Sequence, residues 1–173
     1  MQHQSVQTIT KRRRPGLVPA ANEKEPETMC PFPACVEFLT GILAGVFVGS
    51  AMMEHAARKM DATAWISYNQ AKDAVYGPVM PVFFGVTLVV VLVGAVLSGG
   101  QVEQVCAALS LFFAGVITGR IHLPLNKVFA GWSASAHPHD WSALRHRWRA
   151  WNLVRTTFAI IAFALTIVGR FCA

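Results

Sequence analysis

The sequence predicts an all-α fold: an integral membrane four-helix bundle with an amphipathic interfacial segment ahead of the last span. Three observations carry the prediction. Of 173 residues, 54% are hydrophobic and 14% charged, against about 25% charged in soluble domains. The apolar residues are clumped into four runs, and runs of about 20 residues match the hydrocarbon thickness of a bilayer. Lys and Arg collect between those runs, where membrane proteins carry topology signals and headgroup contacts.

The same numbers exclude some classes. The formal charge is +6, but no basic-aromatic motif accompanies it, so no nucleic-acid partner is expected. The cysteines Cys30, Cys35, Cys106 and Cys172 show neither zinc spacing nor C-x-x-C. Cys106 and Cys172 lie in apolar runs, where cysteine behaves as a small hydrophobe. Cys30 and Cys35 are either a disulfide pair or two free thiols, the second being favoured.

Residues 1–35 read as a disordered, basic and proline-rich tail, ahead of a four-span domain over 36–173. The tail carries K-R-R-R at Lys11–Arg14 and then N-E-K-E-P-E, and buries too little apolar surface to offset its ordering entropy. No apolar stretch directly follows the basic cluster, as a signal peptide would require.

The spans fall at about 36–56, 78–98, 104–123 and 152–170. The first carries Gly41, Gly45 and Gly49, four apart and so on one helical face, where small residues let helices approach closely. The polar interval Met60–Tyr76 follows, with Trp65, Tyr68 and Tyr76 as interfacial anchors and a surface helix in its middle. The second run, Pro78–Leu97, is free of charge and has Pro81 in its first turn, where proline is tolerated. Ser98-Gly99-Gly100-Gln101 is a tight connection, so spans two and three form an antiparallel hairpin. The third run meets Pro124, which predicts a kink or a helix end after Arg120.

Four spans put both termini on one side of the membrane. The tail plus Arg170 carry six Lys/Arg and the segments after spans one and three carry nine. By the positive-inside rule that difference places those two connections in the cytoplasm.

The stretch Arg120–Arg155 holds four of the five tryptophans and four of the six histidines. In an up-down bundle the ends of spans one and three share a side, which brings Glu54, His55 and Arg58 near Arg120, His122 and Asn126. Ionisable groups at membrane depth are expensive and mark candidate sites. Glu54 and Arg58 are four apart and can pair. His55 is about 100° round the helix from Glu54. His122 and Asn126 share a face only if the helix continues through Pro124.

These residues leave three readings open. His55, His122 and Glu54 are the candidate ligands of an unknown metal, although H-x-x-H and E-x-x-H are missing. A histidine can instead act as a base, with Asn126 and an arginine holding an oxyanion. The third reading is interfacial residues bonded to headgroups and loop backbone. His137, His139 and His146 read as solvated.

Trp141, Leu144, Trp148, Trp151 and Arg155 recur at helical spacing on one face, with Arg145 and Arg149 flanking another. This is either an amphipathic interfacial segment or the lid of an apolar pocket, with Trp148 and Trp151 stacking on a flat substrate.

At these residues the chain resembles the anthrone oxygenase family of small four-span membrane proteins. The matching pieces are G-I-L-A-G-V-F in span one, E-H-A-A-R at Glu54–Arg58, L-P-L-N at Leu123–Asn126 with Trp132 downstream, and the stretch Trp141–Arg155. Ala56 departs from the family, many of whose members carry proline there. The resemblance implies oxidation of an anthrone to an anthraquinone by O₂ as co-substrate, with no required cofactor or with an unknown metal. Within that scheme, co-location at one membrane boundary makes His122 or His55 the expected base, Asn126 and Arg155 the expected oxyanion donors, and Glu54 the partner of a histidine or of Arg58. Trp148, Trp151, Arg58, Arg120 and Trp132 would contact the substrate. The implied partners are the lipid bilayer, a small apolar aromatic substrate and further copies of the chain.

Two classes compete with this reading. A non-enzymatic membrane scaffold or partner subunit would use the glycine face for packing. A four-span thiol oxidoreductase needs a closer cysteine pair than Cys30 and Cys35. A transporter is disfavoured because four spans without an internal repeat would need oligomerisation.

Overall fold

The computed structural model describes residues 31–171. The Lys11–Arg14 cluster and Cys30 lie outside the described residues, so neither the tail nor the cysteine pair is addressed by it. The described residues form five α-helices: α1 (Pro31–Ala56), α2 (Ala62–Leu97), α3 (Val102–Ile117), α4 (Leu123–Ala130) and α5 (Trp141–Phe171). A 3₁₀ turn, Ala57–Lys59, follows α1, and a five-residue π turn, Thr118–His122, joins α3 to α4. Among the described residues four segments are long and apolar enough to cross a membrane, with α3, the π turn and α4 acting as one 29-residue span. The sequence-derived fold class holds, and the chain is a multi-pass membrane protein.

The helices run antiparallel in turn. At one end Arg170 on α5 pairs with Glu37 on α1 at 2.8 Å, and Gly94 near the end of α2 abuts Val36. Both described ends of the chain therefore lie at that end of the bundle. At the other end Lys72 on α2 pairs with Glu54 on α1. Ala57, just after α1, shares an apolar cluster there with Leu125 and Phe129 on α4, so the ends of spans one and three lie at the same end of the bundle. The α2–α3 connection is tight as expected: Gly99 and Gly100 have φ of +69° and +82°, values that favour glycine because a Cβ would clash there.

Helix α5 packs on both α1 and α3, and its buried positions, Trp148, Asn152, Arg155, Ala159, Ala162 and Thr166, step by three and four. An apolar core fills the bundle's middle around Leu43, Phe47, Val91, Leu111, Ala159 and Ala162. A second cluster, Ala57, Trp65, Ile66, Leu125, Phe129 and Trp148, sits at the Glu54 end. The outward faces are apolar, as at Val82, Val89, Phe112 and Leu153, which suits contact with lipid.

Several sequence-based expectations are corrected. Residues 31–35 are helical, so span one begins before residue 36. The interval Met60–Tyr76 is not a surface segment followed by a separate span. Asp61 caps α2 by accepting from Ala64 N–H at 2.8 Å, and the helix then runs unbroken through Pro78 and Pro81. Trp65 is wholly buried, not an interfacial anchor. Its ring packs edge-on against Phe129 at 5.2 Å.

The third span does not end at Pro124. It loosens into the π turn, closed by Leu123 N–H on Thr118 C=O, and resumes as α4. The proline therefore falls where the α pattern is already broken. The glycine face is also only partly used. A Cβ on Gly41 would meet the Phe163 ring at 3.0 Å, but nothing lies within 4 Å of one on Gly45 or Gly49. The amphipathic stretch from Trp141 is the first half of α5 and continuous with the last span.

Candidate functional site

The π turn, α5 and the ends of α1 and α2 build a buried polar layer between the two apolar clusters. Its centre is His122, 1% exposed. The imidazole packs edge-on against Trp148 with centroids 5.0 Å apart. The Trp151 backbone lies near the ring, but not in hydrogen-bonding geometry, so both ring nitrogens are buried without a partner. Because the helix continues through Pro124, Asn126 shares the His122 face.

Asn152 and Arg155 follow Trp148 on the same buried face of α5. Arg155 Nη2 donates to Asn152 Oδ1 at 2.6 Å. The guanidinium lies over the Phe47 ring at 4.2 Å. Arg155 Nε and Asn152 Nδ2 remain buried donors without acceptors. Leaving a buried donor or acceptor unmade costs about 1–3 kcal/mol, so these two donors and the two imidazole nitrogens are an expensive arrangement.

Trp148 is fixed on three sides. Its Nε1–H donates to Asn126 Oδ1 at 2.8 Å. Asn126 Nδ2 in turn donates to Asp73 Oδ1 at 2.9 Å. The Lys72 ammonium sits 4.5 Å from the Trp148 ring centroid and 3.0 Å from Glu54 Oε1. Glu54, wholly buried, also accepts from Trp65 Nε1–H at 3.4 Å. Above this layer Arg145 lies against both the Trp65 and Trp141 rings and donates to the Ala57 carbonyl, tying α5 to the turn after α1.

The residues singled out from the sequence therefore divide. His122, Arg155, Trp148, Asn126 and Glu54 are brought together. Asn126 is a brace, because its amide is engaged by Asp73 and Trp148; the unpartnered amide donor beside Arg155 is Asn152. Glu54 pairs with Lys72, not with Arg58. His55, Arg58 and Arg120 are exposed and stand apart from the buried cluster. Trp151 is 38% exposed and does not wall the site with Trp148. Trp132 packs on Phe129 at 4.8 Å, and its carbonyl accepts from Gln70 at 2.8 Å; it supports α4 and is not at the histidine. Among the described residues no group of three His, Cys, Asp or Glu side chains can hold a metal ion, so His55, His122 and Glu54 do not form a ligand set.

Sequence reasoning missed Lys72, Asp73, Asn152 and Arg145. A signal for Asn152 was present in the stepping 141, 145, 148, 152, 155, equal in period to the stepping 141, 144, 148, 151, 155 that follows the more apolar residues. Two cavities lie at the opposite end of the bundle. One, of about 460 Å³, is lined by Phe32, Gly94, Gln101, Gln104 and Arg170 among others.

The fold is a four-span membrane bundle with an imidazole, an amide and a guanidinium buried at one end. The sequence model of the anthrone oxygenase family matches residues 65–165, more than half of the chain. The chain belongs to that family. Lys72, His122, Asn126, Trp148, Asn152 and Arg155 all fall within the matched stretch, whereas Glu54 precedes it. No curated protein matches the chain, and no solved structure does.

Proposed function

We propose that this protein is a membrane oxygenase that oxidises an anthrone or a similar polycyclic aromatic with O₂. The observation that carries the reading is His122, a buried imidazole without hydrogen-bond partners, beside Arg155 and Asn152 and inside the family-matched stretch. The methylene of an anthrone is acidic because its anion is an aromatic phenolate. One His122 nitrogen takes that proton. The charge moves to the former carbonyl oxygen, where Arg155 and Asn152 donate hydrogen bonds.

The electron-rich anion then reduces O₂. A C–O bond forms at the methylene carbon, and the proton held by His122 is returned to give a hydroperoxide. Loss of water, taking the remaining hydrogen on that carbon and the distal OH, leaves the quinone carbonyl. One anthrone and one O₂ yield one anthraquinone and one water. All electrons come from the substrate, so the step requires no other reductant. Trp148 sets the imidazole's orientation through the edge-on contact, and Asn126 and Asp73 set Trp148.

Oxygen uptake by purified protein in detergent, with anthrone supplied, tests this. His122→Ala is expected to lose about 100-fold or more in rate, the usual contribution of a positioned base. Uptake unchanged in that variant removes His122 from the mechanism.

A further inference from the structure

The end of the bundle away from His122 holds a cavity of about 460 Å³ to which all four spans contribute. Phe32 and Val36 from α1 and Gly94 and Leu97 from α2 give it apolar walls. A Cβ at Gly94 would press on Val36 at 3.3 Å, and one at Gly169 on α5 would meet the Gln104 amide nitrogen at 2.8 Å. At those two points the wall is bare backbone. Leu97 is 69% exposed, so the apolar wall runs out onto the lipid-facing surface.

The polar part of the lining is what a ligand would read. Gln101 and Gln104, at the start of α3, both line the cavity. Gln101 occupies the N-cap position, but its side chain makes no capping bond. Neither glutamine amide has a hydrogen-bond partner among the described residues. The other polar groups in the lining are engaged. Ser98 Oγ donates to the Ala95 carbonyl, Thr166 Oγ1 donates to the Phe163 carbonyl, and Arg170 pairs with Glu37. The cavity therefore offers two primary amides, each both donor and acceptor. A phosphate head would have to compete with Glu37 for Arg170. It would also meet Glu103, in the first turn of α3 and close to Gly169.

We propose that this cavity binds one uncharged glycerolipid, of the diacylglycerol class. Its hydroxyl and an ester carbonyl bond to Gln101 and Gln104, and one acyl chain lies on Phe32, Val36 and Leu97 before leaving into the bilayer. The depth agrees, because the cavity sits where the spans end and the glycerol region of a bilayer lies between hydrocarbon and headgroups. The site shares no residue with the His122 layer, lies at the other end of the bundle and does not depend on the oxygenase reading.

The test uses dioctanoylglycerol with a diazirine on one chain, irradiated with the full chain in lipid-free detergent, and the adducts are mapped by peptide mass spectrometry. Adducts are expected on the segments carrying Phe32–Val36 and Gly94–Gln104. Unlabelled dioctanoylglycerol should suppress them, and dioctanoyl phosphatidylglycerol at the same concentration should not. The probe should also raise the thermal unfolding temperature. Gln101→Leu/Gln104→Leu should unfold at the wild-type temperature without probe, since neither amide is bonded internally. It should bind the probe about tenfold more weakly, the effect of losing two ordinary hydrogen bonds.

Adducts spread along outward residues such as Phe112 would mean surface lipid only and overturn the proposal. So would equal competition by phosphatidylglycerol, which would make the cavity an anion site, or by anthraquinone, which would make it a site for ring systems. Probe binding unchanged in the double glutamine variant overturns it as well.

Discussion

Lys72 and Glu54 are paired at 3.0 Å, but their surroundings differ. The lysine side chain is 14% exposed and the carboxylate not at all. Removing either partner strands the other, and the two strandings are unequal. In Glu54→Gln the ammonium can swing along its flexible stem toward water or headgroups. It remains over Tyr68 and Trp148, whose faces attract it. A loss of about 2 kcal/mol is expected, below the ~3–5 kcal/mol typical of a broken buried pair. Lys72→Met leaves a carboxylate that cannot reach solvent. Its remaining contacts are the Trp65 indole at 3.4 Å and the charge of Arg145, so the loss approaches ~4 kcal/mol. The double variant Glu54→Gln/Lys72→Met removes both charges and should come within about 1 kcal/mol of the wild type. The assay is unfolding in mixed micelles of rising SDS fraction, followed by tryptophan fluorescence, with the four proteins forming a double-mutant cycle. Additive single losses in the double variant, or a larger loss for Glu54→Gln than for Lys72→Met, would show that the pair is not coupled as described.

Other outcomes follow from the same geometry. Asn126→Leu removes the acceptor of the Trp148 indole and the donor to Asp73; it should lower stability by about 1–3 kcal/mol and shift tryptophan emission, measured in detergent. Trp148→Ala should abolish oxygen uptake, while the exposed Trp151→Ala leaves it within about twofold, since surface changes rarely exceed ~0.5 kcal/mol; equal losses in the two would mean that the site faces outward. Gly45→Ala should be neutral or stabilising by up to about 1 kcal/mol in thermal unfolding, because nothing lies within 4 Å of its Cβ, whereas Gly41→Ala must displace Phe163 and should lower the melting temperature. Gly99→Ala forces a side chain to φ +69° and should cost about 1 kcal/mol, read in the same way.

The architecture was legible because a bilayer requires it: long apolar runs, short polar connections and alternating direction leave few arrangements. That logic also placed Glu54 and His122 at the same end of the bundle before any coordinate. The site's interior was harder to read for a reason seen on α5. Two tracks of residues step by three and four from Trp141 to Arg155, and the apolar one, through Leu144 and Trp151, looks like the inner face by the habits of soluble proteins. In a membrane span the outside is apolar too, so polarity marks the inside. Arg145 and Asn152 are the buried members. The interval Met60–Tyr76 misled in the same way: its Lys72 and Asp73 look like water-facing residues until their partners, on α1 and α4, are known. Asn126 shows a further limit. Its place on the His122 face could be anticipated, but not that its amide is already engaged by neighbours 53 and 22 residues away in sequence.

The π turn at Thr118–His122 has a consequence for how this chain tolerates length changes. A π turn holds one residue more than the α turn it replaces, and one residue is about 100° of rotation. Were the span α-helical throughout with the same sequence, His122, Leu125 and Phe129 would swing by about that angle away from Trp148 and Trp65. Deleting Gly119, whose Cβ position is open, would instead tighten the turn and leave both halves facing as they do now. A one-residue deletion within α3 or α4, outside the π turn, would rotate one part of the span against the other. The span therefore behaves as an α-helix carrying a single absorbed insertion, and the extra residue decides which side chain is offered to the bundle's interior.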